Sequence, residues 1–220
     1  MSGTRYAQFC ALARAAEILG ERWTLLIIRE LLLGQKRFSD LSDRLSGVSP
    51  TVLTTRLNTL IESGVVRRVD LPPPFNAQVY ELTPIGQSLK PAIRELIRWG
   101  GHFIFPMRPD DEFDPDWGLL ALDASARRTP TPAHKIVLRI KHKAAVASFL
   151  IEGGKAGTTI TKSDGPGSSI IETTFDVFLP IISLKLPLER AMAEKRATVE
   201  GSLRIARMLP RFFDRSERHR

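Results

Sequence analysis

Thr51, Thr54, Thr55, Asn58 and Thr59 share one side of the segment SPTVLTTRLNTLIESG, while Leu53, Leu57, Leu60 and Ile61 recur at i, i+4, i+7 and i+8 on the other. A solvated helix face is ordinarily built of Lys and Glu, which form helix better than Thr and Asn. Short uncharged donors and acceptors cost helix stability but suit a surface laid against base edges in a major groove. There Asn can pair with adenine through two hydrogen bonds, and Thr offers thymine a hydroxyl and a methyl. A plain solvated face is the competing reading. Arg56 flanks this surface, within reach of a phosphate or of an internal partner, Glu30 or Glu62. Arg67 and Arg68 follow as neighbours on an expected strand, so their side chains leave on opposite faces and only one is expected to meet DNA. Arg37 lies just before Ser39, the expected cap of a short helix, where a phosphate would meet a helix N-terminus and a guanidinium together. Phosphate contacts position a protein and make its binding steeply salt-dependent without reading sequence.

Other chemistry is sparse. Cys10 is the single cysteine, so no intramolecular disulfide forms, and no Lys or Arg adjoins it; Arg14 is one turn away. It is read either as a buried small hydrophobe or as a thiol that oxidises to a sulfenic acid, a mixed cap or an intersubunit disulfide. His102, His134, His142 and His219 are dispersed without metal-ligand spacing. No phosphate-cradling or dinucleotide glycine pattern occurs, and GGKAG (Gly153 to Gly157) is short enough to be a hairpin turn. The acidic run Asp110, Asp111, Glu112, Asp114, Asp116 is read as solvated linker. The expectation is no enzyme, no metal and no cofactor.

The elements that must carry the polar face punctuate clearly. Helices are expected at Ala7–Leu19, stopped by Gly20, at Arg22–Leu33, stopped by Gly34, and at Asp40–Leu45 behind a Ser39 cap. After a short turn, Ser49 caps the helix Pro50–Ser63; Pro50 suits the first helical position, where a missing N–H costs nothing. That spacing is a helix-turn-helix. Strands Val65–Asp70 and Gln78–Leu82 flank LPPPFNA, a stiff loop or wing tip. Thr83-Pro84 opens a further helix with Leu89, Ile93, Leu96 and Ile97 on one face, kinked at Pro91 and ending at Gly100-Gly101. Trp23, Leu25, Leu26, Ile28, Leu31 and Leu32 are assigned to the core; Trp99 and Phe103 pack either on a partner subunit or within their own domain.

Residues 104–116 read as a linker between a domain at 1–103 and another at 117–220. The second half expects a helix at Trp117–Ala126, strands at His134–His142, Ser148–Glu152, Gly157–Thr161 and Ser168–Thr174, then helices at Phe175–Ile182, Pro187–Lys195 and Ser202–Phe213. The class is α+β, strands first and helices after, with RSERHR as a frayed charged end.

Composition bounds rather than decides. The 220 residues suffice for one large or two small cores, and 43% hydrophobic with 25% charged is ordinary for a globular protein. A net charge of +8 permits an acidic partner. Residues 1–101 hold 13 Lys+Arg against 9 Asp+Glu and residues 102–220 hold 19 against 15, so the excess is evenly spread. No basic start with an apolar run marks a signal peptide, and no run approaches the ~18 apolar residues of a membrane helix. A cytoplasmic protein is expected.

The segments ILGERWTLLIIRELLLGQKRFSDL (Ile18 to Leu41), GVSPTVLTTRLNTLIESGVVRR (Gly47 to Arg68) and YELTPIGQSL (Tyr80 to Leu89), followed by RWG (Arg98 to Gly100), resemble the HxlR-type winged-helix regulators of bacteria. The resemblance implies an N-terminal winged helix-turn-helix that dimerises through its first and last helices and binds a palindromic operator in double-stranded DNA, usually as a repressor. The DNA-binding set would be Arg37, Ser39, Ser49, Thr51, Thr54, Thr55, Arg56, Asn58, Arg67 and Arg68. Cys10 stands where the family often has a sensing cysteine, although the usual Cys-Pro is Cys10-Ala11 here. The second half, with EGGK (Glu152 to Lys155) and PLERAMAEKRATVEGSLRIARMLPRFF (Pro187 to Phe213), is similar to a sterol-carrier-type α+β domain, which implies an apolar cavity for a hydrophobic small-molecule effector. Two other readings stay open: a lipid or apolar-ligand carrier with an accessory winged helix, and a redox regulator acting through Cys10.

Overall fold

The computed structural model describes residues 5–104, 108, 111, 114–142 and 145–214. They form two compact units, Met1–Ile93 and Arg94–Arg220. Most of the expected linker, with Asp110 and Glu112, lies outside the described residues, as do the RSERHR tail and its His219.

Unit 1 is built from α1 (Ala11–Leu19), α2 (Thr24–Leu32), α3 (Phe38–Arg44), α4 (Pro50–Glu62), β1 (Val66–Leu71), β2 (Ala77–Leu82) and α5 (Pro84–Gln87). Its core is Ile27, Ile28, Leu31, Leu41, Leu45, Leu53, Leu57 and Leu60, closed from the hairpin side by Val65, Val66, Val79 and Leu82. β1 and β2 pair antiparallel, and Lys36 adds a bridge to Tyr80 with N–H···O distances of 3.0 and 2.8 Å. Glu30 of α2 is fully buried and holds two guanidinium groups, Arg29 at 2.7 Å and Arg44 of α3 at 2.6 Å, so one carboxylate joins the two helices. Gly86 is required where it stands, since a Cβ would lie 2.2 Å from the Val65 carbonyl oxygen.

Several expectations need correcting here. The first helix begins at Ala11 rather than Ala7, with Cys10 at the N-cap and exposed, not buried. α2 begins at Thr24 because Trp23 takes a left-handed backbone, φ 78°, which a helix cannot include. Leu25 and Leu26, assigned to the core, are exposed. Ser39 does not cap α3: the helix starts at Phe38, two residues earlier than expected, Arg37 is the N-cap residue, and its N–H donates to Asp40 Oδ2 at 2.8 Å. The helix expected after Thr83 is two. α5 stops at Gln87 and α6 (Lys90–Gly100) restarts, which puts Pro91 in a first turn, where its missing N–H breaks nothing, instead of at an interior kink.

Unit 2 holds α7 (Pro115–Ser125), β3 (Lys135–His142), β4 (Ala145–Gly154), β5 (Gly157–Lys162), β6 (Ser169–Thr174), α8 (Phe175–Ile182), α9 (Leu188–Ala193), β7 (Ala197–Gly201) and α10 (Leu203–Ala206), then a short 3-10 turn at Leu209–Phe212. The strands form one sheet in the order β5-β4-β3-β6-β7, antiparallel except for the β3–β6 pair. Ile136, Leu138 and Ile140 of β3, with Phe149, Ile151 and Ile171, face a core completed by Val177, Phe178, Ile181, Leu209, Phe212 and Phe213. The helix expected over Ser202–Phe213 is broken into α10 and the 3-10 turn, and β7 was not expected at all. It places a strand after two helices, so the strands-first order does not hold.

The outer sheet face is charged. Lys135 pairs with Glu152 at 2.5 Å, and Lys141 pairs with Glu172. The link from β5 to β6, residues 163–168, crosses this face as a strap: Ser163 N–H donates to Ser148 O, Ser168 N–H donates to Lys135 O, and Asp164 takes two hydrogen bonds from Arg139 at 3.0 and 3.1 Å. Beneath it Val137 is fully buried.

Candidate nucleic-acid interface

α4 is delimited by its own residues. Ser49 Oγ accepts from the Val52 N–H at 3.3 Å, and Pro50 occupies the first turn. At the other end Gly64, with φ +70°, allows Gly64 N–H to reach Ile61 O and Val65 N–H to reach Leu60 O, both at 2.9 Å, a Schellman ending that no residue with a Cβ adopts as easily. Between these caps Leu53, Leu57 and Leu60 are buried and Ile61 half-buried. Thr51, Thr54, Thr55 and Asn58 are exposed and Thr59 is half-buried.

The threonines are partly committed to their own helix. Thr55 Oγ1 donates to Thr51 O at 2.9 Å and Thr59 Oγ1 to Thr55 O at 3.1 Å. Each hydroxyl proton is thereby engaged, leaving an oxygen lone pair and a methyl for contacts outside.

The two wing arginines diverge. Arg67 donates through Nε to Glu81, its cross-strand neighbour, at 2.7 Å. Arg68 turns to α4, where it donates to Asn58 Oδ1 at 3.0 Å, and its guanidinium sits 5.6 Å from the ring centroid of Tyr80, the residue opposite it on β2. Asn58, Ile61, Glu62, Arg67 and Arg68 line a cleft of about 270 Å³ between helix and wing. Arg56 pairs with neither Glu30 nor Glu62; its partner is Glu21, at 2.8 Å. Arg37 and Ser39 are exposed at the start of α3, distant in sequence from the Asn58–Arg68 pair, and the Arg37 N–H is taken by Asp40. Glu21, Tyr80 and Glu81, which organise these arginines, went unnoticed in the sequence, where only the cross-strand register of a hairpin could have pointed to the last two. Near Cys10, Arg14 is engaged by Glu17 at 2.9 Å, and that bond, with a Tyr6 N–H at 2.7 Å, holds the Glu17 carboxyl below its usual range.

Helix, turn, capped polar helix and two-stranded wing define a winged helix-turn-helix. A family model described as HxlR-like helix-turn-helix matches residues 18–107. The HTH-type regulator YvaP of Bacillus subtilis is 38% identical over 93 residues, 42% of this chain and 86% of the relative. YodB of the same organism is 34% identical over 92 residues, 42% of this chain and 82% of the relative. The HTH-type regulator Rv3095 of Mycobacterium tuberculosis is 40% identical over 94 residues, 43% of this chain, and the chain spans 59% of that relative's length. Among solved structures, the reduced form of YodB aligns over 46% of this chain and 100% of its own, at 31% identity and a TM-score of 0.40. This chain belongs to the HxlR-like helix-turn-helix family.

Proposed function

We propose that this protein is a homodimeric, cytoplasmic DNA-binding transcription regulator, acting as a repressor on a palindromic operator. The observation that carries the reading is the exposed, uncharged polar face of α4, Thr51, Thr54, Thr55 and Asn58, capped at both ends and flanked by the wing. In this mechanism α4 enters the major groove, Thr methyls and hydroxyl oxygens meet base edges, Arg37, Ser39, Ser49, Arg56 and Arg67 lie along the sugar-phosphate rims, and Arg68 stands beside Asn58 at the edge of α4. Arg56 and Arg67 each already hold a carboxylate, so a phosphate would have to share or displace it. A dimer is supported by apolar side chains left uncovered on the N-terminal segment, Tyr6, Phe9 and Leu12, and by Leu96, Trp99 and Phe103 on and after α6. Two α4 helices would then address half-sites about one helical turn, ~34–36 Å, apart.

The second unit, read by resemblance as sterol-carrier-like, is proposed to receive an apolar effector. Phe149, Phe178, Phe212 and Phe213 fill the space between its sheet and helices, so such a ligand must displace aromatic packing to enter. Control of DNA binding further requires that the ligand favour one of two conformations.

The test is footprinting on the DNA beside the protein's own gene, at two salt concentrations with nonspecific competitor. Protection of two half-sites, lost in a Thr55→Ala, Asn58→Ala double variant, is expected. Binding abolished by competitor and modest salt would leave only an electrostatic attraction and remove the regulator reading.

A further inference from the structure

We infer that Arg68 is a specificity-determining residue that works through Asn58, and that together they read a guanine in each half-site. The inference rests on the proposed DNA-binding function and deepens it. A guanidinium carries only donors, so the Asn58 atom 3.0 Å from it must be the carbonyl oxygen, and the side-chain amide is thereby oriented. The N–H₂ group of Asn58 is left for an outside partner. The remaining guanidinium protons of Arg68 stand beside it, so the pair presents mainly donors, and a cation already holds one of the two lone pairs of its one acceptor.

That arrangement does not suit adenine. Adenine offers the major groove one acceptor and one donor, N7 and the N6 amino group, and its amino group would face further donors here. Guanine offers two acceptors, N7 and O6, which match. The arginine is also fixed before DNA arrives: its cross-strand neighbour Tyr80 backs the guanidinium at 5.6 Å, and Asn58 holds its tip. Glu62 lines the same cleft as Arg67 and Arg68 and offsets one of their two positive charges, which weakens the pull on a phosphate. Both Asn58 and Arg68 are exposed, so the base needs no rearrangement of the core to reach them.

The experiment is in vitro selection of duplex DNA by the full chain, followed by affinity measurements on single-base operator variants with wild type, Asn58→Ala, Arg68→Met and Arg68→Lys. A guanine at one position per half-site is expected, its preference erased by Asn58→Ala. Arg68→Met, which frees the carbonyl oxygen, should shift that position towards adenine, changing the guanine-to-adenine affinity ratio by about ten-fold or more and leaving the rest of the motif intact. Arg68→Lys, still a pure donor, should keep guanine. An adenine preference in wild type at the Asn58-dependent position overturns the inference. So does an Arg68→Met protein weakened equally on all sequences with a salt slope lower by about one, the signature of a phosphate contact. Enrichment of no motif by wild type overturns the DNA-binding reading itself and is distinguishable from both.

Discussion

Glu30 shows how much one residue can decide. A carboxylate with no solvent exposure needs compensation such as Arg29 and Arg44 provide, and removing one partner of such a buried pair costs about 3–5 kcal/mol. Glu30→Ala should therefore lower stability by roughly that amount in urea denaturation, and a loss below about 1 kcal/mol would show the cluster to be weakly coupled to the fold. Exposed pairs such as Arg67–Glu81 belong to another regime, worth about 0–1 kcal/mol each. The same division explains which side-chain placements on the candidate face the sequence made legible. Thr51, Thr54, Thr55 and Asn58 were recognisable from type and spacing, because helical periodicity alone puts them on one face. The partners of the arginines were not. Arg56 meets Glu21 and Arg68 meets Asn58 through tertiary placement, which no local pattern encodes.

Elements with strong punctuation were legible nearly to the residue. The Ser49-Pro50 start and Gly64 end of α4 are local chemistry, and the structure reproduces them. The break at Ser88–Leu89 was misread as a kink, since Pro91 signals a disturbance without saying whether the chain bends or restarts. β7 escaped because ATVEG is short and becomes a strand only by pairing with β6. The strap over the outer sheet face carries a pH prediction. Hydrogen bonding from Arg139 holds the Asp164 carboxyl below its usual value and raises Arg139. A group depressed in the folded state contributes stability above its unfolded pKa of about 3.9, and that contribution is lost as pH falls through the folded value. Amide exchange across 163–168 should thus be insensitive to pairing between about pH 7 and 5, once corrected for intrinsic rates, and accelerate below about pH 4. Asp164→Asn should show the faster exchange at neutral pH. An equal exchange rate in the variant would mean that backbone bonds and Val137 hold the strap without the ion pair.

At the scale of the whole molecule, the charge of +8 is a weak guide, being shared evenly between the halves, and the case for DNA rests on where individual side chains lie. No helix among the described residues is long and apolar enough to cross a membrane. The α+β class was legible from the alternation of patterns, whereas the sheet order was not, because the parallel β3–β6 contact joins segments with two whole strands between them in sequence. That contact has a kinetic consequence. Pairing Ile136 with Ser169 requires closing a long loop before any ladder bond rewards it, while α2, α3 and α4 assemble from near neighbours. Refolding should therefore be biphasic, with amides of α2–α4 protected before those of β3 and β6 in a pulse-labelling experiment, and simultaneous protection would make the chain a single cooperative unit. Synthesis runs in the same order: the winged helix leaves the ribosome first, and can be complete while the strands that follow are still waiting for their partners.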